Sequence, residues 1–390
     1  MADTGFDPYR LPDDVQQCPY PLYEQLRSEP GLHRSEDCNG FWAVSRYEDV
    51  VQVLQDADTF GVAEGVGLLG RAGFILPETD PPLHRHYRKV INPWFLRDAV
   101  EQHADRIRLT INSVLDRVDA QPRVDLVAEV CRPYVALVNA SIVATVGDEA
   151  QVGRLAELIN LVTYDITQAR DAIREIRQTV NADIALRRTE PPRGDALDDV
   201  IHDDSDEALS DDEVMAMYLS MVFGAFDTTA NTLAVALAHL AGTPEDRRTL
   251  VADPSKIPAA VDELLRWDPT SQGMARTARR DVEVGGQLVR EGDRLYVLTG
   301  SANRDPAQFP SPEACQLDRS PNRHVGFGAG PHRCLGMHLA LLLLRTAVAE
   351  VLARWPDVEL VPDTQLTYKT SQMRALVAVP VIPRPLGGDG

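Results

Sequence analysis

The run Phe327-Gly328-Ala329-Gly330-Pro331-His332-Arg333-Cys334-Leu335-Gly336 decides the reading of this chain. It is glycine-rich and irregular, with one cysteine near its end. Met337-His338-Leu339-Ala340-Leu341-Leu342-Leu343-Leu344 follows at once and reads as the start of a buried helix. Cys334 therefore sits where a loop feeds a helix N-terminus. Backbone N–H groups without intrahelical partners gather there, and the helix dipole favours negative charge. A thiol in that place is biased towards thiolate, the form that binds metal. The glycines permit torsions and close approaches that a Cβ would block, so a flat ligand could lie against the loop with its metal on the sulfur. A structural cysteine in a glycine-rich turn would account for an isolated cysteine, but not for the further stretches that agree with this one.

Working outward, the chain has 390 residues, room for one large domain or two to three smaller ones. Its shares of hydrophobic (44%) and charged (25%) residues are those of a soluble globular protein. No continuous apolar run reaches the length that crosses a bilayer. Met1-Ala2-Asp3-Thr4-Gly5 lacks the basic-then-apolar pattern of a signal peptide, so a cytoplasmic protein without a membrane anchor is expected. Cys18, Cys38, Cys131, Cys315 and Cys334 are odd in number and far apart, with no C-x-x-C pair. That argues against a disulfide framework, a zinc site and an iron–sulfur cluster, and a single thiolate-ligated metal fits better. The net charge of −20 disfavours nucleic acid as a partner. Much of it lies between Asp195 and Glu213, which reads as a solvated acidic connector.

Upstream of the cysteine run, Phe41 to Arg46 has strand character and Tyr47 to Leu54 reads as a helix. Residues 61–76 carry five glycines interleaved with Val66, Leu68, Leu69, Phe74 and Ile75, which predicts a mobile loop lining a pocket. In Asp80-Pro81-Pro82-Leu83-His84-Arg85-His86-Tyr87-Arg88 two prolines open a helix on which His84 and Arg88 share a face. Residues 100–190 read as helical throughout, in several segments separated by Gln121-Pro122, Arg132-Pro133 and Gly147-Asp148. Ser210-Asp211-Asp212-Glu213 is a capping box, and the helix it starts runs to about Leu240 through Gly224-Ala225-Phe226-Asp227-Thr228-Thr229. A mid-helix glycine costs roughly 1 kcal/mol against alanine, so it marks close packing or a needed gap. Asp281 to Val289 is a hairpin with a Gly-Gly turn, Leu295 to Leu298 a strand, and Leu376 to Val381 a late strand pair element.

The cysteine run, as F-G-x-G-x-H-x-C-x-G, resembles the haem-binding loop of the cytochrome P-450 family. The segments at 80–88, 224–229 and 263–266 resemble that family's other motifs in its order, and the resemblance covers residues 20–382. It implies a mainly α fold with small β-sheets, a single domain over 1–390, and haem b (iron protoporphyrin IX) between the long central helix and the cysteine loop. Cys334 would ligate the iron. His84, Arg88, Arg276 and His332 would hold the propionates, with Phe327, Gly328, Gly336 and Ala225 also at the cofactor. Asp227 and Thr228 would deliver protons to dioxygen. Here Gly224-Ala225 stands where the family more often has Ala-Gly, which bears on the distortion of the long helix. Glu263-Leu264-Leu265-Arg266 resembles the family's structural E-x-x-R pair, joined by Arg319.

Leu69, Phe74, Phe226, Gln272, Met274 and Met373 are the expected substrate contacts, Gln272 as the polar residue that orients the substrate. The implied activity is insertion of one oxygen atom of O2 into an apolar small molecule. Electrons would come from a ferredoxin or flavodoxin with its NAD(P)H-dependent reductase, attracted by Arg85, Lys89, Arg97 and Arg333. The rival readings are a peroxide-driven peroxygenase, against which the Asp227/Thr228 pair argues, and a haem-thiolate sensor or binding protein without turnover.

Overall fold

The structure is a computed structural model and describes residues 5–144, 147–164, 168–203, 205 and 207–384. Its helices are α1 (Asp13–Gln17), α2 (Tyr20–Ser28), α3 (Tyr47–Gln55), α4 (Leu83–Ile91), α5 (Arg97–Glu101), α6 (Ala104–Asp116), α7 (Arg132–Ile142), α8 (Glu149–Tyr164), α9 (Ala169–Arg187), α10 (Asp198–Ile201), α11 (Asp211–Gly242), α12 (Pro244–Ala252), α13 (Ile257–Trp267), α14 (Thr299–Ala302) and α15 (Met337–Arg354). The strands are β1 (His33–Ser35), β2 (Phe41–Val44), β3 (Phe60–Gly61), β4 (Val124–Asp125), β5 (Met274–Ala278), β6 (Val282–Val284), β7 (Gln287–Val289), β8 (Arg294–Val297), β9 (Glu359–Leu360), β10 (Tyr368–Thr370), β11 (Arg374–Leu376) and β12 (Pro380–Ile382). The mainly α architecture with small sheets is as expected. The chain divides into two compact units, one of residues 1–86, 259–335 and 367–375, the other of residues 87–258, 336–366 and 376–390.

The first unit is built on a five-stranded sheet in the order β1-β2-β8-β5-β3. β2 and β8 run parallel, with Trp42 opposite Leu295 and Val44 opposite Val297, and the other pairs are antiparallel. α3 buries Val50, Val53 and Leu54, the i, i+3, i+4 spacing of a core-facing helix. These side chains pack with Val44, Phe60, Leu295, Val297 and Val325, and Ala329 of the cysteine run rests on the same core. The hairpin β6–β7 turns at Gly285 (φ +56°) and Gly286 (φ +77°), torsions that glycine adopts without strain.

In the second unit α11 is the core helix. Glu213 Oε2 accepts from Ser210 N at 2.9 Å, which satisfies a donor at its start. Its side chains are buried on most sides, and α7, α8, α9 and α15 pack against it. α11 is long and apolar enough to cross a membrane, but 78% of its most apolar stretch is buried inside the protein. It is therefore a core helix that meets the hydropathy criterion while carrying Asp227 and Thr228. β12 lies between β4 and β9, with Val381 opposite Val124 and Leu360.

Three readings change. The strand pair read over Leu376 to Val381 does not pair with itself: β11 pairs with β10, Val377 is exposed, and the chain re-enters a different sheet at β12. The span 100–190 is broken by β4 and by a π-helical turn at Leu126–Cys131. The acidic connector begins buried: Asp195 is 0% exposed. Arg187 donates to Asp195 at 2.6 Å, to Asp183 at 2.9 Å and to Asp198 at 3.0 Å. A buried guanidinium needs such partners, and no charge count reveals them.

Candidate functional site

In the first unit the cysteine run forms a tight loop closed by backbone hydrogen bonds, Cys334 N to Phe327 O at 2.9 Å and Gly328 N to Val325 O at 2.9 Å. Gly330 has φ +68°, and a Cβ on it would stand 2.4 Å from Leu54 O and 2.8 Å from Gln55 Cα. Only glycine lets the loop lie on the end of α3. Cys334 emerges from this turn with its side chain exposed, and α15 begins three residues later. None of the five cysteines is in a disulfide, and among the described residues no group of three or more His, Cys, Asp or Glu could hold a metal ion.

The segment before the loop is clamped from α13. Glu263 is 0% exposed. Its carboxylate accepts from Arg266 Nε and Nη2, both at 2.8 Å, and from Arg319 Nε at 3.0 and 3.1 Å. Gln316 N donates to it at 2.8 Å and Asn322 Nδ2 at 3.2 Å. Burial alone would raise this carboxyl, but the donors outweigh it and hold it below the ordinary glutamate range. Arg266 Nη1 goes on to the Asn303 carbonyl at 2.8 Å, and the Asn303 side chain accepts from Val325 N at 2.8 Å, two residues before Phe327. The E-x-x-R pair and Arg319 thus brace the cysteine loop.

His84 is 2% exposed and stacks on His332, ring centroids 4.0 Å apart. Arg88 lies one turn along α4 and is half-buried. Arg276 on β5 is 4% exposed and donates to its neighbour's carbonyl, Ala275 O, at 2.8 Å. Among the described residues no carboxylate pairs with it, and burial pulls its guanidinium down to about 10, partly offset by Asp80. A buried cation in that condition wants an anion.

In the second unit α11 is continuously α-helical through 224–229. Gly224 is exposed, and a Cβ there would meet nothing within 4 Å. Thr228, one turn on, is half-buried and donates to Gly224 O at 2.9 Å. Thr229 is 8% exposed, so Thr228 is the hydroxyl on the open face. Ala225 is half-buried, and its carbonyl accepts from Asn139 Nδ2 at 2.9 Å.

Asp227 points away from that face. Asn231 Nδ2 donates to its carboxylate at 2.9 Å and Asn160 Nδ2 at 3.4 Å. Tyr164, which also accepts from Asn231 at 2.9 Å, donates to it as well. Burial raises the Asp227 carboxyl, with the bonds from Tyr164 and Asn160, nearby Arg132 and the Asn231 bond pulling it back. Acid and alcohol are adjacent in sequence but divided between two sides of the helix. Asn160, Tyr164 and Asn231 went unnoticed in the sequence. Asn231 has a signal there, four residues after Asp227; the other two come from α8 and have none.

Among the expected substrate contacts, Leu69 is 65% exposed, Phe226 is 3% exposed, and Phe74, Met274 and Met373 are half-buried. Gln272 is a correction. It is 0% exposed, and its Nε2 donates to Pro269 O at 2.6 Å. Its side chain holds a turn. Of the basic residues, Arg85, Arg97 and Arg333 are exposed, while Lys89 pairs with Glu207 at 2.9 Å.

These residues fit a haem: an exposed cysteine before a helix start, open space over Gly336, where a Cβ would meet nothing within 4 Å, and a buried arginine that no carboxylate pairs with among the described residues. The cytochrome P450 family model matches residues 152–253 and 256–383. Nocardicin C N-oxygenase of Nocardia uniformis subsp. tsuyamanensis is 32% identical over 98% of this chain and 100% of that protein. Mycinamicin IV hydroxylase/epoxidase of Micromonospora griseorubida is 31% identical over 87% of this chain and 89% of that protein. Among solved structures, cytochrome P450 CYP109Q5 of Chondromyces apiculatus has a TM-score of 0.87 at 26% identity, covering 98% of this chain and 99% of that one. With the cysteine loop, the braced segment before it and full-length likeness to oxygenases and hydroxylases, the chain belongs to the cytochrome P450 family of haem monooxygenases.

Proposed function

We propose that the protein inserts one oxygen atom of O2 into an apolar small molecule, with haem b held on Cys334 and electrons delivered by a separate ferredoxin or flavodoxin system. The observation that carries this reading is Cys334, exposed on a hydrogen-bonded loop three residues before a helix start. Bound through a thiolate, haem supplies oxygen activation, the thiolate favouring O–O cleavage.

The chain's own residues do the rest. The head of α15 favours the thiolate form of Cys334. Arg276, His84, His332 and Arg88 hold the propionates. Thr228 presents its hydroxyl beside Gly224, on the open face of α11, and hands on a proton, while Asp227, held on the other side of the helix by Asn231, Asn160 and Tyr164, does not reach it directly. Residues 61–76, with Phe74, and Met274 and Met373 border the substrate. Arg85, Arg97 and Arg333 attract the acidic electron donor.

Incubation with ferredoxin, reductase, NADPH and a substrate panel tests this. Because two relatives are named for nocardicin C and mycinamicin IV, both compounds belong in the panel. Donor-dependent oxygenated product supports the reading. Ligand binding without any turnover would favour a sensor, and turnover with peroxide alone a peroxygenase.

A further inference from the structure

The glycine-rich loop 61–76 is far from mobile in its hydrogen bonding, and the group that holds its second half is a buried acid. Glu78 is 1% exposed. Its Oε1 accepts from Ala72 N at 2.9 Å, and its Oε2 from Gly73 N at 2.8 Å and Phe74 N at 3.0 Å. Three successive backbone donors thus converge on one carboxylate, which replaces the water that burial removed. The first half is held separately. Asp80 accepts from Val62 N at 2.7 Å and Ala63 N at 3.2 Å. Arg294 donates to Gly65 O at 3.0 Å and Gly67 O at 2.5 Å, Gln372 donates to Val66 O at 3.0 Å, and Tyr9 accepts from Leu68 N at 3.0 Å. A segment this rich in glycine loses much conformational entropy on ordering, so these anchors must be what fixes it.

We propose that Glu78 is a positioning residue for substrate selection: by fixing Ala72–Phe74 it sets Phe74, so that the loop is a preformed wall that sorts substrates by shape rather than a lid that closes on them. This rests on the reading above that the loop borders the substrate. No group on the haem is needed for the latch itself.

The test uses haem-loaded wild type, Glu78→Gln, Phe74→Ala and the double variant. Hydrogen exchange is read at residues 72–74, and affinity is read with two iron-binding probes, imidazole and the bulkier 4-phenylimidazole. In wild type the three amides are protected despite their place in a loop. Glu78→Gln speeds their exchange about tenfold or more, the scale of losing one hydrogen bond to a charged group. It weakens 4-phenylimidazole by about tenfold and leaves imidazole unchanged, and Phe74→Ala adds little in the Glu78→Gln background because both act on one contact. Fast exchange at 72–74 in wild type, or unchanged exchange in Glu78→Gln, overturns the latch, and the wild-type result stands even if the variant does not fold. Equal weakening of both probes overturns the selective role. Failure of imidazole itself to bind wild type is the separate outcome that undoes the haem reading, while hydrogen exchange still decides the latch.

Discussion

Replacing Glu263 with glutamine keeps the volume and removes the charge that two arginines share. Wild-type Glu263 accepts four charge-assisted hydrogen bonds from Arg266 and Arg319, plus one from Gln316 N and one from Asn322. Glutamine retains one acceptor oxygen and turns an NH2 towards donors, leaving two nearly buried guanidinium groups poorly paired. Breaking a buried pair from one side costs about 3–5 kcal/mol, and the retained oxygen puts Glu263→Gln near 3 kcal/mol. Against a typical total of about 5–15 kcal/mol, that is a large share. Urea unfolding of the haem-loaded protein, followed by tryptophan fluorescence, measures it.

The pH dependence carries a sign. The folded Glu263 carboxyl lies below its unfolded value. Its contribution is therefore complete above the unfolded value of about 4.3 and fades as pH falls through the lower folded value. The gap between wild type and variant should accordingly narrow only in acid. Because Arg266 and Asn303 link the clamp to Val325, haem retention should fall along with stability. A loss below about 1 kcal/mol at neutral pH, or a gap that widens in acid, would refute the reasoning.

Further predictions concern the two units separately. Gly330→Ala should destabilise by at least about 1–2 kcal/mol from its left-handed backbone alone, with the clash against Leu54 O added, whereas Gly336→Ala, with open space at its Cβ, should leave apoprotein stability unchanged; thermal denaturation separates them. Thr228→Ala should leave NADPH consumption running while product falls and peroxide rises, and unchanged coupling would remove the hydroxyl from the relay. Arg276→Met should weaken haem retention in a transfer assay yet leave the apoprotein equally or more stable, since a buried charge that no carboxylate pairs with among the described residues is replaced by apolar volume.

What could be read in the sequence was local. The cysteine loop shows itself because its glycines, cysteine and following helix are contiguous, and the capping box of α11 and the Gly285-Gly286 turn show themselves for the same reason. What could not be read depends on partners far along the chain. Glu263 and Arg266 look like any surface pair on a helix until Arg319, Gln316 and Asn322 close on them. Asp227 and Thr228 look like joint members of one polar patch, because nothing local says that Asn160 and Tyr164 draw the acid to the other side. Gln272 was misread because a lone amide near a pocket segment gives no hint that Pro269 O already takes its N–H. The loop at 61–76 looked mobile from its glycines, while the acids that hold it, Glu78 and Asp80, lie just outside it.

The bond from sulfur to iron at Cys334 is tested most directly by the absorption spectrum of the reduced, carbon monoxide-bound protein after haem loading. A thiolate ligand predicts the strongly red-shifted Soret band of the haem-thiolate class, and its loss in Cys334→His with haem still bound. An imidazole-type band in wild type, or a thiolate-type band that survives Cys334→His, would contradict it.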